Sequence, residues 1–251
     1  WSSDVCSSDL NVEVKMDNMG LLYSQTNPAH PAQDVAFTIS NLTIPAKKNI
    51  DIPTANPFKC YLYPPAFDKE KLPIPFLLPP GGSNLMNIVS MMPKLKEELR
   101  AIFNDYGLKY VFDTNSQEIK VMKEKKPGEI FLIPFHSIAD TLQRMIFYKA
   151  AIESNSKSAL VFEEPEAHSY PPFISKVTQD IIQSDRNQFF ITTHSPYVVN
   201  DFLELPSDEL AIYLVDFRNG ETFVKRASDT EVQEMYEYGI DLFFNTETFL
   251  R

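Results

Sequence analysis

The chain has 251 residues, 43% of them apolar, which is enough for one sizeable core and short for two independent domains. Its net charge of -11 leaves no overall basic field to draw in nucleic acid or anionic lipid, although a local basic patch stays open. No apolar run reaches membrane-spanning length and the start lacks a secretory pattern, so a cytoplasmic protein without membrane contact is expected. Cys6 and Cys60 form neither a metal-binding spacing nor a disulfide framework.

Residues 1–10, WSSDVCSSDL, read as a translated sequencing-library adapter and are set apart from the fold, the plain alternative being a Ser/Asp-rich tail. On that reading the gene is cut near Asn11, and residues 11–251 form one incomplete domain. Its first part, 11–80, is rich in Pro, Asn and Thr, with short strands expected at 35–39, 42–44 and 61–63. A second part, 81–127, is a helical and β insertion. Leu85, Ile88, Val89, Met92, Leu95, Leu99, Ile102 and Phe103 recur there at helical spacing, with Ser83 or Asn84 as N-cap and Gly107 as terminator. Pro93 either kinks this helix or opens a second one. Gly81-Gly82 is followed by no basic residue until Lys94, which favours a turn over a phosphate loop. Lys94, Lys96 and Arg100, interleaved with Glu97 and Glu98, read as a solvated face. Strands are expected at 108–112, 118–122 and 129–133.

The third part, 128–204, carries the densest signal. A helix is expected over 137–153, with Ile138, Leu142, Met145, Ile146 and Ala150 on one side. The wholly apolar run Ala159-Leu160-Val161-Phe162 suits a strand buried on both faces of a parallel sheet. A helix at 173–182, a strand at 188–192 and a helix at 196–203 follow, an alternation that predicts an α/β layer. The last part, 205–251, should hold strands at 210–215 and 222–225 and an acidic helix at 231–238.

Two strand ends stand out chemically. Glu163-Glu164-Pro165-Glu166 puts carboxylates directly after the buried strand, where ligands gather in parallel sheets. Thr192-Thr193-His194-Ser195-Pro196 ends the next strand, with Ser195 and Pro196 suited to the N-cap and first turn of a helix. A solvated acidic turn and a capping histidine are the plain alternatives. Carboxylates and an imidazole expected together on one edge of one sheet favour a site over those alternatives.

LVFEEPEAHSYP resembles the Walker B strand, catalytic glutamate and D-loop of ABC-type ATPases related to SMC, RecF and OLD proteins, and FFITTHSPYVVN resembles their switch-histidine loop. Phe135-His136-Ser137-Ile138-Ala139-Asp140-Thr141-Leu142-Gln143-Arg144 resembles the signature region, and the likeness extends over about residues 79–245. The resemblance implies a P-loop NTPase fold, a parallel sheet flanked by helices. It also implies ATP and Mg²⁺ as cofactors. Glu164 would orient the attacking water, Glu163 would hold Mg²⁺, and His194 would reach the γ-phosphate. Ser137, with Asp140 and Thr141 in the signature, would meet the ATP of a second subunit in a head-to-head homodimer. His168, Ser169 and Tyr170 would fall in the D-loop at that boundary. A nuclease, a toxin or DNA is the implied reader of the cycle, in DNA maintenance or phage defence.

Three departures weigh against full activity. Glu163 replaces the usual aspartate, and Ile138 and Ala139 replace the paired glycines of the signature. No G-x-x-x-x-G-K-[ST] occurs, and a chain cut near Asn11 would lack that loop and be inactive alone. A non-catalytic regulatory or interaction module is therefore the first alternative. The ATPase part of an OLD-type nuclease is the second, although no second acidic D-x-D cluster follows His194.

Overall fold

The computed structural model describes residues 57–65, 74–113, 116, 118–206, 208–218, 220–239 and 242–249, together with the backbone of three earlier strands. Those strands, β1 (Val12–Met16), β2 (Leu22–Thr26) and β3 (Ala36–Phe37), form an antiparallel sheet in that order. Residues 1–11 and the strand expected at 42–44 lie outside the described residues.

The fold is α/β, built on a three-stranded parallel sheet of β4 (Phe58–Tyr61), β8 (Ala159–Glu163) and β9 (Gln188–Thr192), with β8 in the middle. Between β4 and β8 run α1 (Leu85–Met91), α2 (Pro93–Asp105), an antiparallel sheet of β5 (Lys109–Asp113), β6 (Glu118–Lys126) and β7 (Glu129–Pro134), a 3-10 turn over Phe135–Ser137, and α3 (Asp140–Ser154). Helix α4 (Pro171–Ile182) connects β8 to β9, and α5 (Pro196–Phe202) follows β9. The remainder is a hairpin of β10 (Tyr213–Arg218) and β11 (Glu221–Arg226), then α6 (Asp229–Tyr238) and α7 (Leu242–Phe249). This architecture agrees with a P-loop NTPase fold.

Burial explains the layering. Leu160 and Phe162 of β8 are fully buried, and α3 buries every residue from Met145 to Ile152 because the sheet and α1, α2 and α4 surround it. An aromatic cluster fills the centre: Phe162 lies 5.1 Å from Tyr148 and 6.0 Å from both Tyr61 and Phe189, ring centre to ring centre. Tyr61 donates its hydroxyl to the Leu77 carbonyl at 2.6 Å and accepts from Asn155 Nδ2 at 2.9 Å, so its polar end is satisfied inside the core. Gly82, at φ 67°, packs where an added Cβ would stand 2.8 Å from Phe147, and this confirms the turn reading of Gly81-Gly82.

Several expectations need correction. The strand expected at 61–63 is instead β4, displaced toward the N-terminus and part of the parallel sheet. Pro93, by contrast, takes one of its two expected outcomes and opens a second helix: Met92 before it is extended at ψ 104°, the conformation a following proline imposes. The face carrying Lys94 and Glu98 is only partly solvated. Lys94 Nζ lies 2.6 Å from Glu153, and Glu98 meets the buried Lys149 at 2.9 Å, with Asp180 as the second partner of that lysine. These ion pairs tie α2, α3 and α4 together, whereas the Arg100–Glu97 pair stays exposed as expected. Helix α3 starts at Asp140 because residues 135–137 are taken by the 3-10 turn. The strand expected at 210–215 begins at Tyr213, where pairing with Arg226 of β11 starts. Helix α7 has no counterpart in the sequence reading.

Candidate functional site

The candidate site lies where β8 and β9 end side by side. Their last registered pair is Glu163 with Thr192, and the ladder continues one step as the Glu164 amide donates to the Thr192 carbonyl at 2.9 Å. Glu163 is exposed at this edge. Pro165 turns the chain, and Glu164 takes a left-handed backbone at φ 41°, a conformation that costs a non-glycine residue about 1–2 kcal/mol. The turn directs Glu164 across to the neighbouring strand end, where its Oε1 lies 3.2 Å from His194 Nε2. Both side chains remain open to solvent, His194 at 80% and Glu164 at 47%.

Glu166 forms a second link between the two loops. Its Oε1 accepts from the Thr193 hydroxyl at 2.6 Å and from the His194 amide at 2.8 Å, and its Oε2 is buried without a hydrogen-bond partner. The sequence reading placed Glu166 in the acidic turn and gave it no role. Only its position two residues past Glu164, across a proline, hinted that it would point back toward β9. Ser195 occupies the N-cap of α5 but makes no side-chain cap bond. The Thr193 hydroxyl accepts from the Ser195 amide at 3.0 Å instead.

The remaining expected residues fall into a second cluster. Thr141, in the first turn of α3, donates its hydroxyl to the His168 carbonyl at 3.1 Å, which joins the signature-like segment to the turn after β8. His168 is also left-handed, at φ 57°, and the Ser169 amide donates to the Glu166 carbonyl at 2.8 Å. Asp140 pairs with Arg144 at 2.9 Å, and that guanidinium lies over the Tyr63 ring. Ser137, at the end of the 3-10 turn, and Tyr170, before α4, are exposed and outside the Glu164–His194 group. Glu164 therefore meets His194 and Thr141 meets His168, Glu163 shares the strand end through its backbone register with Thr192, and the other expected residues do not join them within one chain.

Burial keeps two groups near this edge protonated. Burial, with Glu163 adding to it, pushes the Cys60 thiol up to about 11, so it is no nucleophile at neutral pH. Burial likewise raises the Tyr148 phenol beneath the site, with the Glu166 and Glu163 carboxylates adding to the effect. Among the described residues no group of three or more His, Cys, Asp or Glu side chains could cage a metal ion. One exposed carboxylate at a strand end does suit Mg²⁺, which keeps most of its waters and takes its other ligands from substrate phosphates. No helix among the described residues is long and apolar enough to cross a membrane.

Comparison with known proteins bears on this edge. The family model described as "AAA domain, putative AbiEii toxin, Type IV TA system" matches residues 86–200, a span that includes α3, β8, β9 and both turns. A solved structure described as "Structural biochemistry of ATP-driven dimerization and DNA stimulated activation of SMC ATPases" is 15% identical over 61% of this chain and 96% of that one, with a TM-score of 0.41. No curated protein matches the chain. Across residues 86–200 the chain is thus similar to AAA domains.

Proposed function

We propose that this chain supplies the hydrolytic side of an ATP-binding and ATP-hydrolysing site, and that residues 128–204 are its core. The observation that carries this reading is the 3.2 Å approach of Glu164 to His194 at the ends of adjacent parallel strands. Phosphoryl transfer asks little covalent chemistry of a protein and depends on placed charge. Glu164, beside an imidazole, is suited to accept a proton from a water and hold that water in line. His194, at the N-terminal side of α5, is suited to donate to a phosphate oxygen, and Glu163 would hold Mg²⁺. When bound, the metal neutralises charge on the phosphates. A lysine-bearing phosphate loop is not among the 251 residues, so activity belongs to an assembly that also supplies one. The Thr141–His168 cluster fits a dimer boundary between two such heads, read by a toxin, a nuclease or DNA, and the likeness to AAA domains of a toxin–antitoxin system favours a defence role.

The reading predicts that Glu164→Gln in the full gene product keeps ATP binding and lowers turnover by about 10²–10⁴-fold, the usual range for a lost general base. Nucleotide binding and phosphate release, measured side by side, test it; unchanged turnover removes the assigned role. The non-catalytic alternative draws on Ile138 and Ala139, whose side chains stand where close backbone approach to a phosphate needs glycine. It predicts ATP binding without turnover in the unsubstituted protein.

A further inference from the structure

The β8–β9 ladder ends at Glu163 and Thr192, and beyond that point only one backbone bond, from the Glu164 amide, continues it. His194 sits two residues past the end. Its side chain is 80% exposed, and its ring is 6.5 Å from that of Phe243, so side-chain packing fixes it weakly. Its backbone has to be held for the imidazole to face Glu164.

Glu166 supplies that hold. A carboxylate on a surface turn ordinarily directs both oxygens to water, whereas this one turns inward and buries Oε2. Its Oε1 takes the Thr193 hydroxyl and the His194 amide, and the same hydroxyl accepts from the Ser195 amide. One oxygen thereby orders three consecutive residues. The far end of the turn is fixed in its own right, since the His168 carbonyl accepts from Thr141 of α3 and the Ser169 amide donates to the Glu166 carbonyl. Pro165, buried beside it, limits how far the turn can swing.

We propose that Glu166 is a positioning residue: its carboxylate latches the loop after β9 to the turn after β8 and so sets the distance between His194 and Glu164. The latch follows from the hydrogen bonds alone, while its catalytic consequence rests on the proposed function. Amide hydrogen exchange reads the latch directly. Glu166→Ala should speed exchange at His194 by about tenfold or more while β8 amides keep their rates, and Glu166→Gln, which keeps an acceptor oxygen, should restore most of the protection. Thr193→Val, removing only the hydroxyl, should speed exchange at Ser195 and serves if Glu166→Ala does not fold. In an ATP-hydrolysing assembly Glu166→Ala should lower kcat about tenfold with KM for ATP within about twofold, and Glu166→Gln should recover part of the loss. Unaltered His194 exchange in Glu166→Ala, or unaltered Ser195 exchange in Thr193→Val, overturns the latch whatever the turnover. Faster exchange with unaltered kcat overturns the positioning role. Absence of turnover in the unsubstituted assembly that includes the phosphate loop overturns the proposed function instead, and the exchange measurement still decides the latch.

Discussion

Two strands of similar composition meet opposite fates in this molecule. Strand β8 reads ALVFE and β7 reads EIFLIP, and either would pass for a core strand by its apolar content. In β8, Leu160 and Phe162 are fully buried, with a parallel neighbour on each edge. In β7, Ile130, Phe131 and Leu132 are each about half exposed, between 47% and 60%, and β6 is the one strand paired with it among the described residues. Hairpin β10–β11 repeats the second case, with Phe217 at 70% exposure. An apolar run thus reports the capacity to be buried. Whether it is buried depends on what the rest of the chain brings to its two faces.

If that contrast is energetic, it should show first in truncations of the two strands. Phe162→Ala removes the ring at the centre of the aromatic cluster and should cost about 3–5 kcal/mol by denaturant unfolding. A cost near that of a surface substitution would erase the distinction. The next largest effect should come from the ion pairs that bind α2 and α4 to α3. Lys149→Ala leaves Glu98 and Asp180 facing an uncharged side chain, a loss of about 2–3 kcal/mol given that both acids keep some solvent. Burial already holds the Asp180 carboxyl above its ordinary value despite the lysine. A raised carboxyl favours folding when protonated, so the variant should lose further stability as pH rises from about 4 to neutral, read as a falling Tm.

The periphery should answer more weakly. Helix α6 opens on a capping box, in which Ser228 Oγ accepts from the Glu231 amide at 3.3 Å and the Glu231 carboxylate accepts from the Ser228 amide at 2.8 Å. Ser228→Ala should cost about 1 kcal/mol. Lys225 beside Glu231, helped by the Ser228 amide, holds that carboxyl down at about 2. Its contribution is complete above the ordinary carboxylate value near 4.5 and is lost as pH falls toward 2, so Glu231→Gln should flatten the acid limb of the Tm–pH curve. Smallest of all, Phe131→Ala should move stability by no more than about 0.5 kcal/mol. A loss comparable to that of Phe162→Ala would mean that β7 is covered in solution.

Legibility in the sequence followed the same division. Strands β8 and β9 were read to within a residue because each is a short apolar run closed by charge or proline, and the carboxylates and histidine after them are chemically distinctive. Strand β4 was not assigned to the parallel sheet. FKCY carries a lysine at a buried position, and Lys59 is tolerated there because its Nζ donates to Ser158 Oγ at 2.9 Å, a partner 99 residues away. Glu166 was passed over for a related reason: its two hydrogen-bond partners lie 27 and 28 residues downstream, and neither periodicity nor turn chemistry can point to them. Ser195 satisfies a local capping rule and occupies the N-cap, yet its side chain makes no cap bond, and its amide donates to the Thr193 hydroxyl that Glu166 holds.

The left-handed backbone at Glu164 sets two selective pressures against each other. Glycine would occupy that conformation without penalty, so Glu164→Gly should raise thermal tolerance while deleting the carboxylate. Directed evolution for heat resistance alone would drift toward glycine here, and on the role proposed for Glu164 a screen for ATP turnover would discard the same clones.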